Sequence, residues 1–219
     1  MKFHRLDIEN IQRRKQMIPK IIEDKIKDIE LHEITECHRS GDTVYQISNK
    51  YILKISDNIA RLQKEYEKDN WIYKYLPSPK PIEFIVKDNK AYYLREYLNG
   101  DILCIDKYIN NPILLVDLLA QANHLIHQIV VDEKEYIIDQ GYKTLIHGDC
   151  CLPNIIVKDD KVVGFIDLGD SGIGDPWQDY AWSIWSLEYN IKTNKYTNLL
   201  LEKLNIKFDK EKFDKYISE

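Results

Sequence analysis

His147-Gly-Asp149, Asn154 five residues on and Asp167 thirteen beyond that set two carboxylates and a carboxamide around a short apolar turn. Phosphoryl transfer from a nucleotide asks for a set of this kind. It leaves the protein little covalent chemistry. What it needs are ligands for a metal ion on the phosphates and a group that orients the attacking hydroxyl. Mg²⁺ is a hard cation and prefers oxygen. One Asp to orient the hydroxyl or accept its proton, with an Asn and a second Asp as Mg²⁺ ligands, completes the set. Each residue alone reads equally well as a turn residue, because Asp and Asn side chains bond their own backbone. The spacing of all three together carries the chemical reading. His147 reads as a packed, hydrogen-bonded residue and not as the base.

The surrounding pattern must position these groups. Tyr142–Ile146 leads into the loop, and Val162–Ile166 reads as a short strand that ends at Asp167. Upstream, Val44, Tyr45, Ile47, Tyr51, Ile52, Leu53 and Ile55 read as two strands joined by Ser48-Asn-Lys50. Lys54 ends the second, where its ammonium would reach phosphates as a point charge. It needs a carboxylate from the next helix, expected over Ala60–Leu76, whose acids are Glu65, Glu67 and Asp69. Further strands are expected over 82–86 and 91–96. Before these strands, Pro19 opens a helix with Ile21, Ile22, Ile26 and Ile29 at helical spacing, and a polar helix is read over residues 1 to about 18. Past residue 98 the chain turns helical, with a stripe from Leu115 to Ile129 and helices near 179–191, 196–204 and 210–217.

Composition narrows the class. The chain has 219 residues, 44% hydrophobic and 31% charged, enough for one large domain or two small lobes. A net charge of −5 argues against a nucleic-acid partner, whose binder would be basic, and suits a cationic substrate. The least polar long run, Ile113–Val131, is broken by Asp117, His124 and His127, so no membrane span is expected. Cys37, Cys104, Cys150 and Cys151 form no Cys-x-x-Cys pair. Few unpatterned thiols fit a reducing cytoplasm, and Cys150 and Cys151 read as buried small hydrophobes.

The run Leu145-Ile-His-Gly-Asp-Cys-Cys-Leu-Pro-Asn154, with Gly164-Phe-Ile-Asp-Leu-Gly169 and Asp170-Ser-Gly-Ile-Gly-Asp-Pro-Trp-Gln-Asp179, resembles the catalytic core of the aminoglycoside 3'-phosphotransferases, a branch of the protein-kinase-like superfamily. The resemblance covers roughly residues 19–219. It implies an α+β, kinase-like two-lobed fold: a nucleotide-binding lobe over 1–97 built on a small antiparallel sheet, and a mainly helical catalytic and substrate lobe over 98–219. It implies that Asp149 is the catalytic residue and that Asn154 and Asp167 hold Mg²⁺. In the nucleotide half it places Ser40 in the phosphate loop and Glu67, with Glu65 as the alternative, as the partner of Lys54. Arg95 and Tyr97 fall beside the nucleobase through main-chain atoms.

The pattern also departs from that family. Ile52 replaces an aromatic that often lies near the base, so ATP and GTP both stay open as donor. Only Val130–Lys143 stands where the family carries a long helical insert, and Asp170 stands where it has an Arg. Asp170, Asp175, Glu188 and Glu219 are candidates for a cationic substrate. Asp175 and Asp179 have a second reading, as residues that fix the loop after Asp167. The expected activity is transfer of the γ-phosphoryl of ATP or GTP to a hydroxyl of a small, hydroxylated, cationic molecule, with an aminoglycoside first and antibiotic resistance as the consequence. A kinase of another hydroxylated metabolite and a non-catalytic nucleotide-binding relative are the alternatives.

Overall fold

The computed structural model describes residues 18–26, 31–34 and 41–218. The helix expected before residue 18, Ile29, Cys37, Ser40 and Glu219 lie outside the described residues. The chain divides into two compact units. The first takes in the described residues up to Tyr73 together with Pro79–Asn99, and the second takes in Lys74–Ser78 and the described residues from Gly100 onward.

In the first unit, α1 (Lys20–Lys25) follows Pro19, and β1 (Leu31–Ile34), β2 (Thr43–Ile47) and β3 (Tyr51–Ser56) precede α2 (Ile59–Ile72). β4 (Pro81–Lys87) and β5 (Lys90–Glu96) complete an antiparallel sheet of order β1-β2-β3-β5-β4. Asp88 and Asn89 both take positive φ in the two-residue turn between β4 and β5, a hairpin geometry that Asp and Asn tolerate. α2 begins at Asn58, whose side chain accepts from the Arg61 N–H at 3.1 Å. It ends four residues short of the expected Leu76. Pro77 and Pro79 follow, and a residue before proline is pushed out of the helical region.

Alternation along the strands sorts the two faces of this sheet. Tyr45, Ile47, Leu53, Tyr92 and Leu94 cluster with Ile18, Ile22 and Ile26 on one face. The other face carries Ala91 and Tyr93, packed with Leu62 of α2. Lys54 is the register partner of Tyr93, and Ile52 of Arg95, so both basic residues belong to the face that α2 covers.

The second unit opens with β6 (Asp101–Ile102), α3 (Asp106–Ile109) and α4 (Pro112–His127). Pro112 at the first turn and Asn111 as cap start α4, which buries Leu115, Leu118, Leu119, Ala122 and Ile126 as the stripe requires. β7 (Leu145–Ile146) leads into the loop around Asp149, and β8 (Ile155–Lys158) and β9 (Lys161–Phe165) form a hairpin whose β8 also pairs with β6. β10 (Gly172–Ile173) pairs with β7, and α5 (Trp177–Ile191), α6 (Thr197–Leu204) and α7 (Lys210–Ile217) follow. Among the described residues no helix is long and apolar enough to cross a membrane.

Candidate active site

The β8–β9 hairpin brings the separated motif residues together. Ile155 pairs with Phe165, so the register carries on to Asn154 and Ile166, and the Ile166 N–H donates to the Asn154 carbonyl at 3.0 Å. Asp167 follows directly, exposed and left-handed (φ 59°), a conformation that stops the strand and that Asp tolerates. The Asn154 amide donates to Asp149 twice, to its carbonyl at 2.9 Å and its Oδ2 at 3.0 Å. That turns Asn154 Oδ1 away from Asp149. With the Asp167 carboxylate it offers hard oxygen donors, which fit Mg²⁺, a cation commonly held by one or two protein groups plus phosphate oxygens.

His147 is fully buried and holds this loop to β9. Its Nδ1 accepts from the Asp149 N–H at 3.3 Å. Nε2 therefore carries the proton and donates to the Ile166 carbonyl at 3.1 Å. The residue is structural, as its sequence context suggests. Gly148 has φ 89°, and a Cβ there would overlap the Asp170 carbonyl oxygen, so both the conformation and the close approach demand glycine.

α5 supplies the floor. Asp179, Ser183 and Ser186 recur at i, i+4 and i+7 on one helical face. Asp179 Oδ2 accepts from the His147 N–H and Oδ1 from the Gly148 N–H, both at 2.8 Å, and His127 Nε2 meets Oδ2 at 2.9 Å. Ser183 donates to the Cys150 carbonyl at 3.0 Å, and Ser186 accepts from the Leu152 N–H at 3.0 Å. Asp179 thus fixes the loop at Asp149 and not the segment after Asp167. Asp175 does hold that later segment: it accepts from the Trp177 N–H at 3.0 Å and from Lys212 of α7 at 2.6 Å. Burial pushes the Asp175 carboxyl up, but Lys212, Trp177 and Tyr142 outweigh it and leave the group below its ordinary value.

Cys150 and Cys151 are buried, and burial, seconded by nearby Asp carboxylates, raises both thiols. Neither offers a thiolate at neutral pH. Iodoacetamide should leave both unmodified in the folded protein and label them after unfolding, read by peptide mass spectrometry.

In the first unit Lys54 Nζ meets Glu65 Oε1 at 2.6 Å, with both side chains buried. This corrects the expectation that Glu67 is the partner. Glu65 lies one helical turn from Asp69 on the face toward the sheet. Glu67 sits two residues on, about 200° around α2, where it is exposed and accepts from Gln63 at 2.9 Å. The expectation for Arg95 concerns its main-chain atoms and says nothing of its side chain. Its side chain is buried, with Nη1 3.4 Å from Asp69 and 3.6 Å from Glu65. The Tyr97 main-chain N–H donates to the Lys50 carbonyl at 2.7 Å.

Residues 112–200 match the phosphotransferase enzyme family. An aminoglycoside 3'-phosphotransferase of Enterococcus faecalis is 30% identical over 202 residues, covering 70% of this chain and 76% of that protein. The chain belongs to the aminoglycoside 3'-phosphotransferase family. A Staphylococcus aureus member is 28% identical over 88% of this chain and 90% of its own length. The aminoglycoside phosphotransferase APH(3'')-Id of Streptomyces rimosus, solved with ADP and streptomycin, shares the fold with a TM-score of 0.73 at 17% identity, covering 90% of this chain and 94% of that one. The chain is thus a kinase-like phosphotransferase enzyme of α+β fold.

Val130–Lys143 is a short connection closed by the Val131 N–H on the Lys143 carbonyl at 2.8 Å and an Asp132–Lys143 ion pair at 2.8 Å. Glu188, a candidate for a cationic substrate, accepts from Thr197 at 2.6 Å through Oε1, which fastens α5 to the start of α6. Asp170 is exposed beside the loop, where its carbonyl crowds Gly148.

Proposed function

We propose that this enzyme transfers the γ-phosphoryl of ATP or GTP to a hydroxyl of an aminoglycoside, and so confers resistance. The observation that carries the reading is the Asp149–Asn154 contact, with Asp167 one residue past Ile166, which bonds the Asn154 backbone. Asp149 Oδ2 is held by the Asn154 amide, which leaves Oδ1 to orient the acceptor hydroxyl and take its proton as the O–P bond forms. Asn154 Oδ1 and the Asp167 carboxylate would hold Mg²⁺, and in the first unit Lys54, steadied by Glu65, would take the phosphates. When bound, Mg²⁺ supplies neutralisation of the charge on the phosphate oxygens. Exposed Asp170 and the half-exposed Asp149 present negative charge to an ammonium-bearing acceptor.

The short 130–143 connection favours a second reading, a kinase of a different hydroxylated metabolite. Coupled nucleotide turnover with ATP and with GTP, plus Mg²⁺, across a panel of aminoglycosides separates the two. Drug-stimulated turnover supports the first. Mg-nucleotide binding with no stimulation by any drug removes it.

The Lys54 pairing adds a prediction. Glu65→Gln should raise the nucleotide KM about tenfold, roughly 1.4 kcal/mol of lost positioning, while Glu67→Gln leaves it within about twofold, as an exposed group should. Equal effects of the two in steady-state kinetics would contradict the assignment of Glu65.

A further inference from the structure

Lys54 does not have Glu65 to itself. The same Oε1 that meets the ammonium at 2.6 Å lies 3.6 Å from Arg95 Nη1. The guanidinium is 3.4 Å from Asp69 Oδ2, which also accepts from the Tyr93 hydroxyl at 2.6 Å. Asp69 Oδ1 has no hydrogen-bond partner among the described residues. The cluster is dry: Lys54, Glu65, Asp69 and Arg95 are 8%, 5%, 1% and 4% exposed. Its layout follows from periodicity. Glu65 and Asp69 are one turn apart on α2, Tyr93 and Arg95 are two apart on β5, and Lys54 is opposite Tyr93 on β3. Among the described residues Arg61, 3.8 Å from Glu65 Oε2, also faces it, and Asp42 pairs with Arg61.

Two buried cations and two buried anions balance, and each cation has its own carboxylate. Removing one member of such a set leaves an uncompensated buried charge, which the remaining groups must rearrange to meet. A guanidinium, weakly hydrated and forked, is a strong competitor for a buried carboxylate.

We propose that Arg95 and Asp69 are positioning residues for Lys54: ionised Asp69 keeps the Arg95 guanidinium off Glu65, and Glu65 is thereby left to hold the ammonium for the nucleotide phosphates. This rests on the reading of Lys54 as a phosphate ligand. When Asp69 is neutral, Arg95 turns to Glu65 and Lys54 loses its anchor. Burial pushes the Asp69 carboxyl up to about 6, against the pull of Arg95 and with Glu65 adding to the rise. The switch therefore sits just below neutrality. A raised carboxyl contributes stability at low pH that is lost as pH rises through about 6. Nucleotide affinity runs the opposite way, rising with ionisation of Asp69.

The test is calorimetric binding of Mg-ATP and Mg-GTP to the wild-type chain, Asp69→Asn, Arg95→Met and the double variant, across the pH range around 6. Thermal unfolding is followed in parallel. Asp69→Asn should weaken binding about tenfold. The double variant should recover most of that loss, because the competitor for Glu65 is gone. The acid-side fall in wild-type affinity should exceed that of the variants, because Asp69→Asn has no carboxyl to titrate and in Arg95→Met the protonation of Asp69 has no guanidinium to release. Additive losses in the double variant, or a wild-type pH profile that matches Arg95→Met, would overturn the proposal. Should Asp69→Asn fail to fold, the profile of Arg95→Met against wild type decides. A wild-type chain that binds neither nucleotide overturns the reading of Lys54 itself, an outcome separate from these.

Discussion

Asp149→Ala lowers acceptor-stimulated turnover about 1,000-fold and leaves Mg-nucleotide affinity within about twofold. The size of the first effect follows from what Asp149 is placed to do. Its backbone N–H is held by His147 Nδ1 and its Oδ2 by the Asn154 amide, so the carboxylate is oriented before any acceptor arrives. A pre-oriented group that removes a proton as the bond forms acts mainly on kcat. The small second effect follows from position. Asp149 is half-exposed, so truncation opens no sealed cavity, and the proposed phosphate ligand Lys54 belongs to a different unit of the chain. Single-turnover and binding measurements on the same preparation check both halves. A large loss of nucleotide affinity would move Asp149 from hydroxyl activation to phosphate binding.

Asp179→Ala acts through the fold, and its signature differs. Asp179 is fully buried and receives the N–H groups of His147 and Gly148 and the His127 ring. Truncation strands two buried donors at about 1–3 kcal/mol each, so the unfolding free energy should fall by roughly 3–5 kcal/mol. For a chain of this size that lowers Tm by roughly 10 °C. Turnover should fall at least about 100-fold as the loop shifts. Asp179→Asn keeps one acceptor oxygen and should lose less of both. Differential scanning calorimetry with kinetics at a temperature where the variant is folded reads this. An Asp179→Ala chain with wild-type Tm would mean that the loop is fixed by Ser183 and Ser186 instead.

The parts of the site that were legible in the sequence are those set by short-range rules. The short strand before Asp167 and the strand that carries Lys54 follow from alternation and from hairpin register, although β3 runs on past Lys54 to Ser56 and does not end there as expected. Glu65 was misjudged against Glu67 because an alignment shifted by two residues moves a helical side chain to the far side of α2, and nothing in that charged stretch marks its phase. Lys68 and Asp69 on the buried face are charged like their exposed neighbours. The Arg95 side chain was missed for a similar reason. A basic residue at the end of a strand reads as exposed, and its partner Asp69 comes from another element. The anchoring role of Asp179 could have been found. Asp, Ser and Ser at i, i+4 and i+7, in a helix rich in apolar residues that also buries Ala181, Ile184 and Leu187, point to polar work on a buried face. Glu188 shows the converse, since its partner Thr197 lies across a turn that no periodicity announces.

The measurement that tests the central claim most directly follows the phosphoryl group itself. The enzyme, Mg²⁺ and γ-labelled ATP or GTP are incubated with an aminoglycoside, and the drug is recovered and analysed by mass spectrometry and phosphorus NMR. Label on a single drug hydroxyl, absent with Asp149→Ala, is the predicted result. Label released as inorganic phosphate with the drug unchanged, under conditions where nucleotide is consumed, would contradict the claim.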